Sequence, residues 1–252
     1  MNELGGSQLT IRRSSMYRPL ADRVVIITGA SRGIGRATAK ELARTKARLV
    51  LVGRDTQALD AVVQETRRLG AESYAYPLDV RNFEAIRVFS QWVLKTCGTI
   101  DVLINNAAVG KYGRFLDLTM DDWDNMVSTN LLGLVALTQA VLPTMIQNRS
   151  GHIVNISSIQ GKRATATSSA YSATKFGVMA VTESLQREMR QYGIRVTALC
   201  PGSVETDFDG FPGSEKINPL TPDDVALAIR DVVETDGRAY VMETVLMPVW
   251  GP

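Results

Sequence analysis

The feature that most constrains the fold is a regular alternation between short apolar runs and longer amphipathic stretches. Seven runs rich in β-branched residues are separated by stretches whose apolar residues recur at helical spacing. Strands that alternate with helices form a parallel sheet with helices on both faces, and its buried strands have continuous apolar sequences. The sequence therefore predicts an α/β fold of the Rossmann type, with a doubly wound parallel seven-stranded sheet in a single domain.

The predicted elements cover most of the chain. Strands are expected at 24–28, 49–52, 73–78, 102–105, 153–156, 194–199 and 240–247. Helices are expected at 34–45, 56–69, 82–97, 121–148, 171–192 and 222–235. Thr221 before Pro222 predicts a helix start, whereas Gly70 and Gly193 predict helix ends. Residues 1–20 are polar and are expected to form a flexible extension, which leaves 21–252 as the domain.

The composition argues against several classes of function. The 252 residues include 28 Lys and Arg and 26 Asp and Glu, so the net charge of +2 gives no reason to expect a nucleic-acid partner. Cys97 and Cys200 form no paired motif and His152 is the single histidine, which argues against a metal site and a Ser-His-Asp triad. We find neither an apolar run of membrane-spanning length nor a secretory signal, so the expected location is the cytoplasm.

A glycine-rich turn follows the first predicted strand and opens the first predicted helix. Gly29, Gly33 and Gly35 leave room for phosphate groups, and a helix start directs backbone N–H groups and a positive dipole end towards them. The spacing differs from the G-x-G-x-x-G fingerprint, so a purely structural turn is the alternative. Its position in the alternating pattern favours dinucleotide binding.

The end of the second predicted strand indicates which nicotinamide dinucleotide binds. A carboxylate at that position binds the ribose 2′-hydroxyl, whereas an arginine accommodates a 2′-phosphate. Gly53 takes the place of the carboxylate, Arg54 follows it, and Arg32 in the glycine turn adds a second positive charge. Asp55 is expected to cap the next helix. The pattern favours NADP(H) over NAD(H), with ordinary surface charge as the alternative for either arginine alone.

A tyrosine and a lysine one helical turn apart supply the candidate chemistry. Tyr171 and Lys175 share one face of a predicted helix. A neighbouring ammonium favours the phenolate and lowers the pKa of a tyrosine from its usual value of about 10. A tyrosine of this kind can exchange a proton near neutral pH, beside a hydride donor held by the glycine turn.

With these residues in view, the chain resembles the short-chain dehydrogenase/reductase family over residues 23–249. The resemblance rests on motifs that occur in the family's order, which are Thr28-Gly-x-x-x-Gly-x-Gly35, Leu78-Asp79-Val80, Asn105-Asn-Ala-Ala108, Asn130, Ser158, Tyr171-x-x-x-Lys175 and Pro201-Gly202. Both the carbonyl reductases and the 3-oxoacyl-carrier-protein reductases of the family are similar to it. Ala108 departs from the pattern, since glycine is usual there, but one added methyl group is compatible with a working site.

The resemblance implies a role for each residue of the candidate site. Tyr171 would be the general acid in carbonyl reduction and the general base in the reverse reaction, while Lys175 would bind the nicotinamide ribose and lower the pKa of Tyr171. Ser158, rather than its neighbour Ser157, would donate a hydrogen bond to the substrate oxygen. Asn130 would hold a water that links Lys175 to solvent. The expected cofactor-binding residues are Gly29, Ser31, Arg32, Gly33, Ile34, Gly35, Arg54, Asp79, Val80, Asn106, Ala107, Tyr171, Lys175, Pro201, Gly202, Val204 and Thr206.

These assignments predict an NADPH-dependent oxidoreductase that reversibly reduces a ketone or aldehyde to an alcohol. A 3-oxoacyl-[acyl-carrier-protein] reductase is the main alternative, and a non-catalytic NADP(H)-sensing protein is a minor one. The expected partners are a small carbonyl or alcohol substrate and further copies of the chain in a homodimer or homotetramer, with no nucleic acid, membrane or metal.

The substrate pocket is expected between segments 109–115, 159–164 and 203–220. Phe208, Phe211 and Pro212 are the apolar residues of the last segment. Four basic residues near the pocket mouth would attract an acidic substrate or an acidic carrier protein, with ordinary solvated charge as the alternative. They are Lys111, Arg114, Lys162 and Arg163.

Overall fold

A parallel sheet of seven strands, in the order β3-β2-β1-β4-β5-β6-β7, forms the centre of the molecule. The computed structural model describes residues 19–206, 208, 218–235 and 239–249. The strands are β1 (Val24–Thr28), β2 (Arg48–Gly53), β3 (Ser73–Pro77), β4 (Val102–Asn105), β5 (Gly151–Ile156), β6 (Ile194–Pro201) and β7 (Glu243–Leu246). The predicted Rossmann-type fold is confirmed, whereas the proposed extension at 1–20 lies almost entirely outside the described residues.

Helices cover both faces of the sheet because successive side chains of a strand point in opposite directions. The helices are α1 (Gly33–Ala43), α2 (Thr56–Arg68), α3 (Phe83–Cys97), α4 (Met120–Val127), α5 (Gly133–Asn148), α6 (Ser169–Met189) and α7 (Pro222–Glu234). In β1, Val25 and Ile27 belong to the core shared with α1, α2 and α7. Val24 and Ile26 belong to the core shared with α3 and α5.

The predicted helix ends are confirmed by their hydrogen bonds and backbone angles. Asp55 caps α2, since its side chain accepts a hydrogen bond from the N–H of Ala58 at 3.0 Å. Thr221 and Asp224 form a reciprocal capping box at the start of α7, with Pro222 in the first turn. Gly70 and Gly193 have φ of 96° and 71°, a conformation in which a side chain is strained.

The helix expected at 121–148 is not continuous. A π-helical segment, Ser128–Leu132, separates α4 from α5. A π segment contains an additional residue per turn, which changes the direction in which its side chains project, and such segments occur often at functional sites. Periodicity alone does not reveal this segment, because its flanking turns keep the apolar pattern of one long helix.

The same stretch, Met120–Asn148, is long and apolar enough to span a membrane when judged by length and composition alone. This differs from the expectation that no run approaches that length. Leu137, Val141 and Met145 of this stretch are buried against the sheet, and buried core helices meet the same criterion. Packing within the domain therefore accounts for its apolar composition.

The last strand is shorter than predicted. β7 spans Glu243–Leu246, whereas the sequence predicts a strand over 240–247. It lies at the edge of the sheet and pairs only with β6, from Ala198 to Pro201, among the described strands. Pairing on a single side limits the length over which the backbone is held in strand geometry.

Candidate functional site

A cleft of about 660 Å³ lies at the carboxyl ends of the parallel strands. It is centred where the order of the strands reverses, with β2 on one side of β1 and β4 on the other. Ligands of open α/β sheets bind at such a switch point, because the connections diverge there and leave a crevice. The volume is within the range of small-molecule and cofactor sites.

Most of the residues predicted for the site converge on this cleft. Gly35 and Asn130 do not line it and are buried behind its wall. The predicted residues that line the cleft are Gly29, Ser31, Arg32, Gly33, Ile34, Arg54, Asp79, Val80, Asn106, Ala107, Ser158, Tyr171, Lys175, Pro201, Gly202, Val204 and Thr206.

The glycine turn is held by contacts between the ends of β1 and β4. The side-chain N–H of Asn106 donates to the carbonyl oxygens of Thr28 and Gly29 at 2.8 and 3.2 Å. The hydroxyl oxygen of Thr28 accepts hydrogen bonds from the N–H groups of Asn106 and Ala107 at 3.0 and 2.9 Å. Asn106 and Ala107 thus line the cleft and also fasten the turn, a structural role that the motif alone does not reveal.

The three glycines of the turn have different physical requirements. Gly29 and Gly33 have φ of 64° and 53°, so both occupy the left-handed region that favours glycine. At Gly35, an added Cβ would lie 2.2 Å from the carbonyl oxygen of Gly29. Gly35 is therefore required for packing inside the turn, and only Gly29 and Gly33 border the cleft itself.

Two exposed arginines stand beside the turn. Arg32 immediately precedes α1 and Arg54 follows β2, and neither has an ion pair in the described part of the chain. Asp79 is paired with Arg81, 2.6 Å away, which holds the pKa of Asp79 below its usual value, with a smaller effect from Arg54. This end of the cleft therefore presents two cations and a single, already paired, carboxylate.

Tyr171 and Lys175 lie together on α6, and both are buried, with 7% and 3% of their surfaces exposed. The ammonium of Lys175 donates to the carbonyl oxygen of Ile156 at 2.8 Å and lies 5.6 Å from the centre of the Tyr171 ring. Burial lowers the pKa of Lys175 to about 8, because a charged ammonium is disfavoured away from water.

The expected lowering of the Tyr171 pKa is wrong for this structure. Burial raises the pKa of Tyr171 above its usual value, and Tyr112 adds to that effect. A hydrogen bond with Ser158 acts in the opposite direction but is the smaller influence. Sequence spacing correctly places the ammonium near the phenol, but it contains no information about how completely both groups leave water.

The two adjacent serines have different environments. Both serines line the cleft after β5, but Ser157 is buried, whereas Ser158 is half-buried and forms a hydrogen bond with Tyr171. Its hydroxyl oxygen also accepts from the N–H of Gln160 at 3.1 Å. The Ser157 hydroxyl donates to the carbonyl oxygen of Lys175 at 3.2 Å. The geometry thus favours Ser158 over Ser157 as the group that would contact a substrate.

Asn130 uses its side chain to join three elements. Its carbonyl oxygen accepts from the N–H of Val109 at 2.8 Å, while its amide donates to the Val109 carbonyl and to the Thr174 hydroxyl at 2.9 and 3.1 Å. Asn130 is only 1% exposed and belongs to the π segment, whose geometry directs the side chain towards the segment after β4. The side chain therefore positions the loop behind α6, and its predicted contact with a water stays a prediction.

The sequence reasoning missed the aromatic surroundings of Tyr171. The ring of Tyr112 lies 5.6 Å from that of Tyr171, and the ring of Phe208 lies 5.8 Å from it on an edge-to-face geometry. Burial raises the pKa of Tyr112 to about 12. Tyr112 falls within the predicted pocket segment 109–115, so the sequence places it near the pocket. Its contact with Tyr171 could not be predicted from the sequence. Phe211 and Pro212 lie outside the described residues.

A second missed feature is a buried chain of polar groups beneath the site. The amide of Asn105 donates to the side chains of Asn155 and Thr138 at 2.9 and 3.1 Å, and Asn155 donates to Thr182 at 2.9 Å. These bonds link β4 and β5 to α5 and α6. The signal was an asparagine inside an apolar strand, since a buried amide requires partners.

Known proteins are similar to this chain over most of its length. Residues 23–215 match the family model described as short chain dehydrogenase. An uncharacterized oxidoreductase of Staphylococcus aureus (strain MW2) is 34% identical over 230 residues, which cover 91% of this chain and 99% of that protein.

Two solved structures share the fold and more than a quarter of the sequence. A metagenomic short-chain oxidoreductase in complex with NADP has a TM-score of 0.82 and 35% identity, covering 93% of this chain and 100% of that one. An alcohol dehydrogenase from the archaeon Thermococcus sibiricus, complexed with 5-hydroxy-NADP, has a TM-score of 0.85 and 32% identity, covering 91% and 98%.

Proposed function

Because the chain belongs to the short-chain dehydrogenase/reductase family of oxidoreductases, we propose that it uses NADPH to reduce a ketone or aldehyde to an alcohol, reversibly. The observation that carries the proposal is the grouping of Ser158, Tyr171 and Lys175 at one end of a cleft whose other end bears Arg32 and Arg54. Ser158, Tyr171 and Lys175 can transfer a proton, and the two arginines can bind a phosphate.

The residues present fit a nicotinamide dinucleotide. The glycine turn borders the cleft at the start of α1, where backbone N–H groups have no partner within the helix. A Cβ at Gly29 would lie 2.9 Å from the Cα of Ala107 and one at Gly33 would lie 3.3 Å from the Thr206 side chain, so glycine at both positions lets the turn approach the opposite wall of the cleft. Pro201, the last residue of β6, and Gly202 border the cleft at the end of the strand next to β5. The chain would therefore hold the pyrophosphate at the turn and the nicotinamide near Tyr171.

The preference for NADP(H) rests on charge. Arg32 and Arg54 are exposed cations without ion pairs among the described residues, and they flank the end of β2, where the ribose 2′ substituent is recognised. Gly53 precedes Arg54 in place of a carboxylate that would repel a phosphate. The NADP and 5-hydroxy-NADP bound to the two similar structures agree with this preference.

In the proposed reaction, the chain's own residues protonate the carbonyl oxygen and donate a hydrogen bond to it. A bound dihydronicotinamide supplies the hydride. Tyr171 is protonated at neutral pH, since burial raises its pKa, and it donates this proton to the oxygen as negative charge develops there. Ser158 donates a hydrogen bond to the same oxygen. The nearby ammonium of Lys175 stabilises the phenolate that remains on Tyr171.

The main alternative, reduction of a carrier-bound 3-oxoacyl group, receives less support from the structure. Lys111 and Arg114 pair with Asp122 and Asp117 at 2.8 and 3.1 Å, and Lys162 pairs with Glu243. Cations that already have acidic partners attract an acidic carrier protein less strongly. The small-molecule reaction is therefore the function that the cleft supports best.

The proposed setting is a cytoplasmic homo-oligomer. Phe176 on α6 and Leu132 in the π segment, which packs against α6, expose 43% and 42% of their surfaces. A symmetric contact between copies would bury them. Size-exclusion chromatography with light scattering tests this, and a monomer at micromolar concentration would reject it.

The proposed function is tested by following the absorbance of NADPH and of NADH with ketones, aldehydes, diketones and a 3-oxoacyl thioester. We expect turnover with NADPH to exceed turnover with NADH. Tyr171→Phe removes the hydroxyl and little else, so it should reduce kcat by about 10³-fold while NADPH affinity remains. Full activity of this variant would remove Tyr171 from the reaction, and NADPH binding without turnover of any compound would favour the sensor instead.

A further inference from the structure

One basic residue at the mouth of the cleft differs from its neighbours. Lys111, Arg114 and Lys162 have acidic partners and do not line the cleft. Arg163 lines the cleft, is exposed, and has no ion pair in the described part of the chain. Its charge is thus available to a ligand, whereas the charge of the adjacent Lys162 is directed to Glu243.

Arg163 belongs to the reacting end of the cleft. The backbone N–H of Arg163 donates to the backbone carbonyl oxygen of Ile159 at 3.1 Å, within the turn that begins at Ser158. Arg54 follows β2, which is three strands away from β5 in the order β2-β1-β4-β5. Three strand spacings amount to roughly 14 Å. The backbone segments that carry Arg163 and Arg54 therefore lie on opposite sides of the switch point between β1 and β4.

Hydrogen bonds attach the turn that carries Arg163 to α6. The amide of Gln160 donates to the Thr165 hydroxyl at 3.4 Å, and its carbonyl oxygen accepts from Ser172 at 3.2 Å. Ser168 bonds to Ser172 at 2.8 Å and accepts from the N–H of Thr165 at 3.1 Å. These bonds tie the backbone on both sides of Arg163 to α6, the helix that carries Tyr171.

Apolar and aromatic side chains form much of the surface at this end, beside the uncharged polar residues Gln160 and Thr165. Val109, Tyr112, Phe208 and Met247 line it together with Tyr171. The single acidic residue among the described lining residues is Asp79, which lies after β3 and is paired with Arg81. No carboxylate of the described lining therefore competes with a substrate anion for Arg163.

We infer that Arg163 binds an oxyanion of the substrate, a carboxylate or a phosphate, while the apolar part of the substrate packs against Tyr112 and Phe208. The inference rests on the proposed carbonyl reduction, with the reacting oxygen between Ser158 and Tyr171. A guanidinium binds such groups through two parallel hydrogen bonds, so it fixes orientation as well as charge. The substrates are then hydrophobic keto acids or phosphorylated carbonyl compounds, and Arg163 determines this specificity.

The test compares charged and neutral forms of one substrate. Phenyl ketones that carry a carboxylate two to four carbons from the carbonyl are assayed with NADPH beside their methyl esters and the corresponding phosphonates. The wild-type enzyme should prefer the acid to the ester, and the phosphonate arm shows which oxyanion is favoured. In Arg163→Gln the preference for the acid should fall about tenfold, mainly through KM, because one charge-assisted pair is lost.

Lys162→Gln is the matched control, since it removes an equal charge from the adjacent residue, which points to Glu243. Its preference for the acid should equal that of the wild type. An unchanged preference in Arg163→Gln, or an equal loss in both variants, would overturn the inference, because the second result indicates a general field rather than a contact. Arg163→Lys should retain part of the preference, since it keeps the charge but not the planar fork.

A failure of the proposed function is distinguishable from a failure of this inference. If neither this series nor the ketones and aldehydes of the first test are reduced, the reaction is rejected, and calorimetry of the acid with the NADP⁺-loaded protein decides about Arg163. Binding that weakens about tenfold in Arg163→Gln and not in Lys162→Gln supports the contact. Equal binding by the two variants, or no binding to the wild-type protein, rejects it.

Discussion

The two ends of the cleft differ in how far their charged and polar groups are exposed to water. The cofactor end, formed by the glycine turn with Arg32 and Arg54, places its charges on the surface. The reaction end contains Tyr171 and Lys175, which are withdrawn from water, with 7% and 3% of their surfaces exposed. The proposed reaction needs both ends, although the charges of one are exposed to water and those of the other are buried.

Substitutions should therefore have different effects in the two regions. Exposed charges are screened by salt and contribute separately, so their removal should produce graded losses of affinity. Buried polar groups have pKa values shifted by desolvation and depend on few partners, so their removal should produce steep losses of rate or stability.

At the reaction end, substitution of two adjacent serines should have sharply different effects, and Ser158 should give the largest loss of rate in this comparison. Ser158→Ala removes the donor to the substrate oxygen and should lower kcat by about 10²-fold to 10³-fold. Ser157→Ala removes a bond to the Lys175 backbone and should instead lower the free energy of unfolding by about 1 kcal/mol. Steady-state kinetics and urea unfolding of both variants check this contrast, and equal losses of kcat would contradict the assignment of Ser158.

At the cofactor end, the steepest effect should come from packing rather than charge. Gly35→Ala places a methyl carbon 2.2 Å from the carbonyl oxygen of Gly29, so the turn must shift. We expect about 3 kcal/mol of lost unfolding free energy and weaker NADPH binding. Gly113→Ala is the control, because its Cβ would make only an ordinary contact with Leu118 at 3.4 Å. Equal stability of the two variants would show that the turn relaxes freely.

Removal of the exposed arginines should cause a graded change. Arg32→Gln and Arg54→Gln should each raise the KM for NADPH about tenfold, and the double variant about 100-fold. The KM for NADH should hardly change, and the difference should shrink at high salt because these charges are exposed. Arg114→Gln, an exposed arginine paired with Asp117, serves as the control. A parallel loss for NADPH and NADH would contradict recognition of the 2′-phosphate.

The smallest effect is a pH dependence that only the buried lysine should cause. Lys175 has a folded pKa of about 8, below the ordinary lysine value, so folding disfavours its charged form. The cost is fully present below pH 8 and declines as the pH rises above 8, because the unfolded chain then binds more protons than the folded protein. Relative to Lys175→Met, the wild-type protein should gain about 1 kcal/mol of unfolding free energy from pH 7 to pH 9.

Urea unfolding of both proteins across this range measures the difference. Tyr171 is present in both, so its own titration largely cancels in the comparison. A constant difference between the two proteins would mean that the ammonium of Lys175 is solvated, and the contrast between a buried and an exposed end would weaken accordingly.

Much of this molecule was predictable because it depends on local pattern. Alternating apolar runs and amphipathic stretches were sufficient for the order of the elements and the parallel sheet. Capping by Asp55 and Thr221 and the helix ends at Gly70 and Gly193 follow from the chemistry of single residues. The convergence of the motif residues on one cleft follows from a general property of parallel sheets, whose carboxyl ends meet at one edge.

What the sequence could not supply concerns residues that are distant along the chain. Within the π segment, the Asn130 side chain forms hydrogen bonds with Val109 and Thr174, which lie 21 and 44 residues away along the chain. The aromatic packing of Tyr112 on Tyr171, and the selection of Arg163 as the basic residue that lines the cleft, depend on which side chains face one another.

Sequence patterns were thus sufficient for the parallel sheet and for most of the residues that line the cleft. The environment of those residues comes from the folded chain, including the burial that raises the pKa of Tyr171 and lowers that of Lys175. Residue types and their spacing are local properties of the chain. Desolvation and charge pairing instead sum over every neighbour in space, and those neighbours are set by the folded chain.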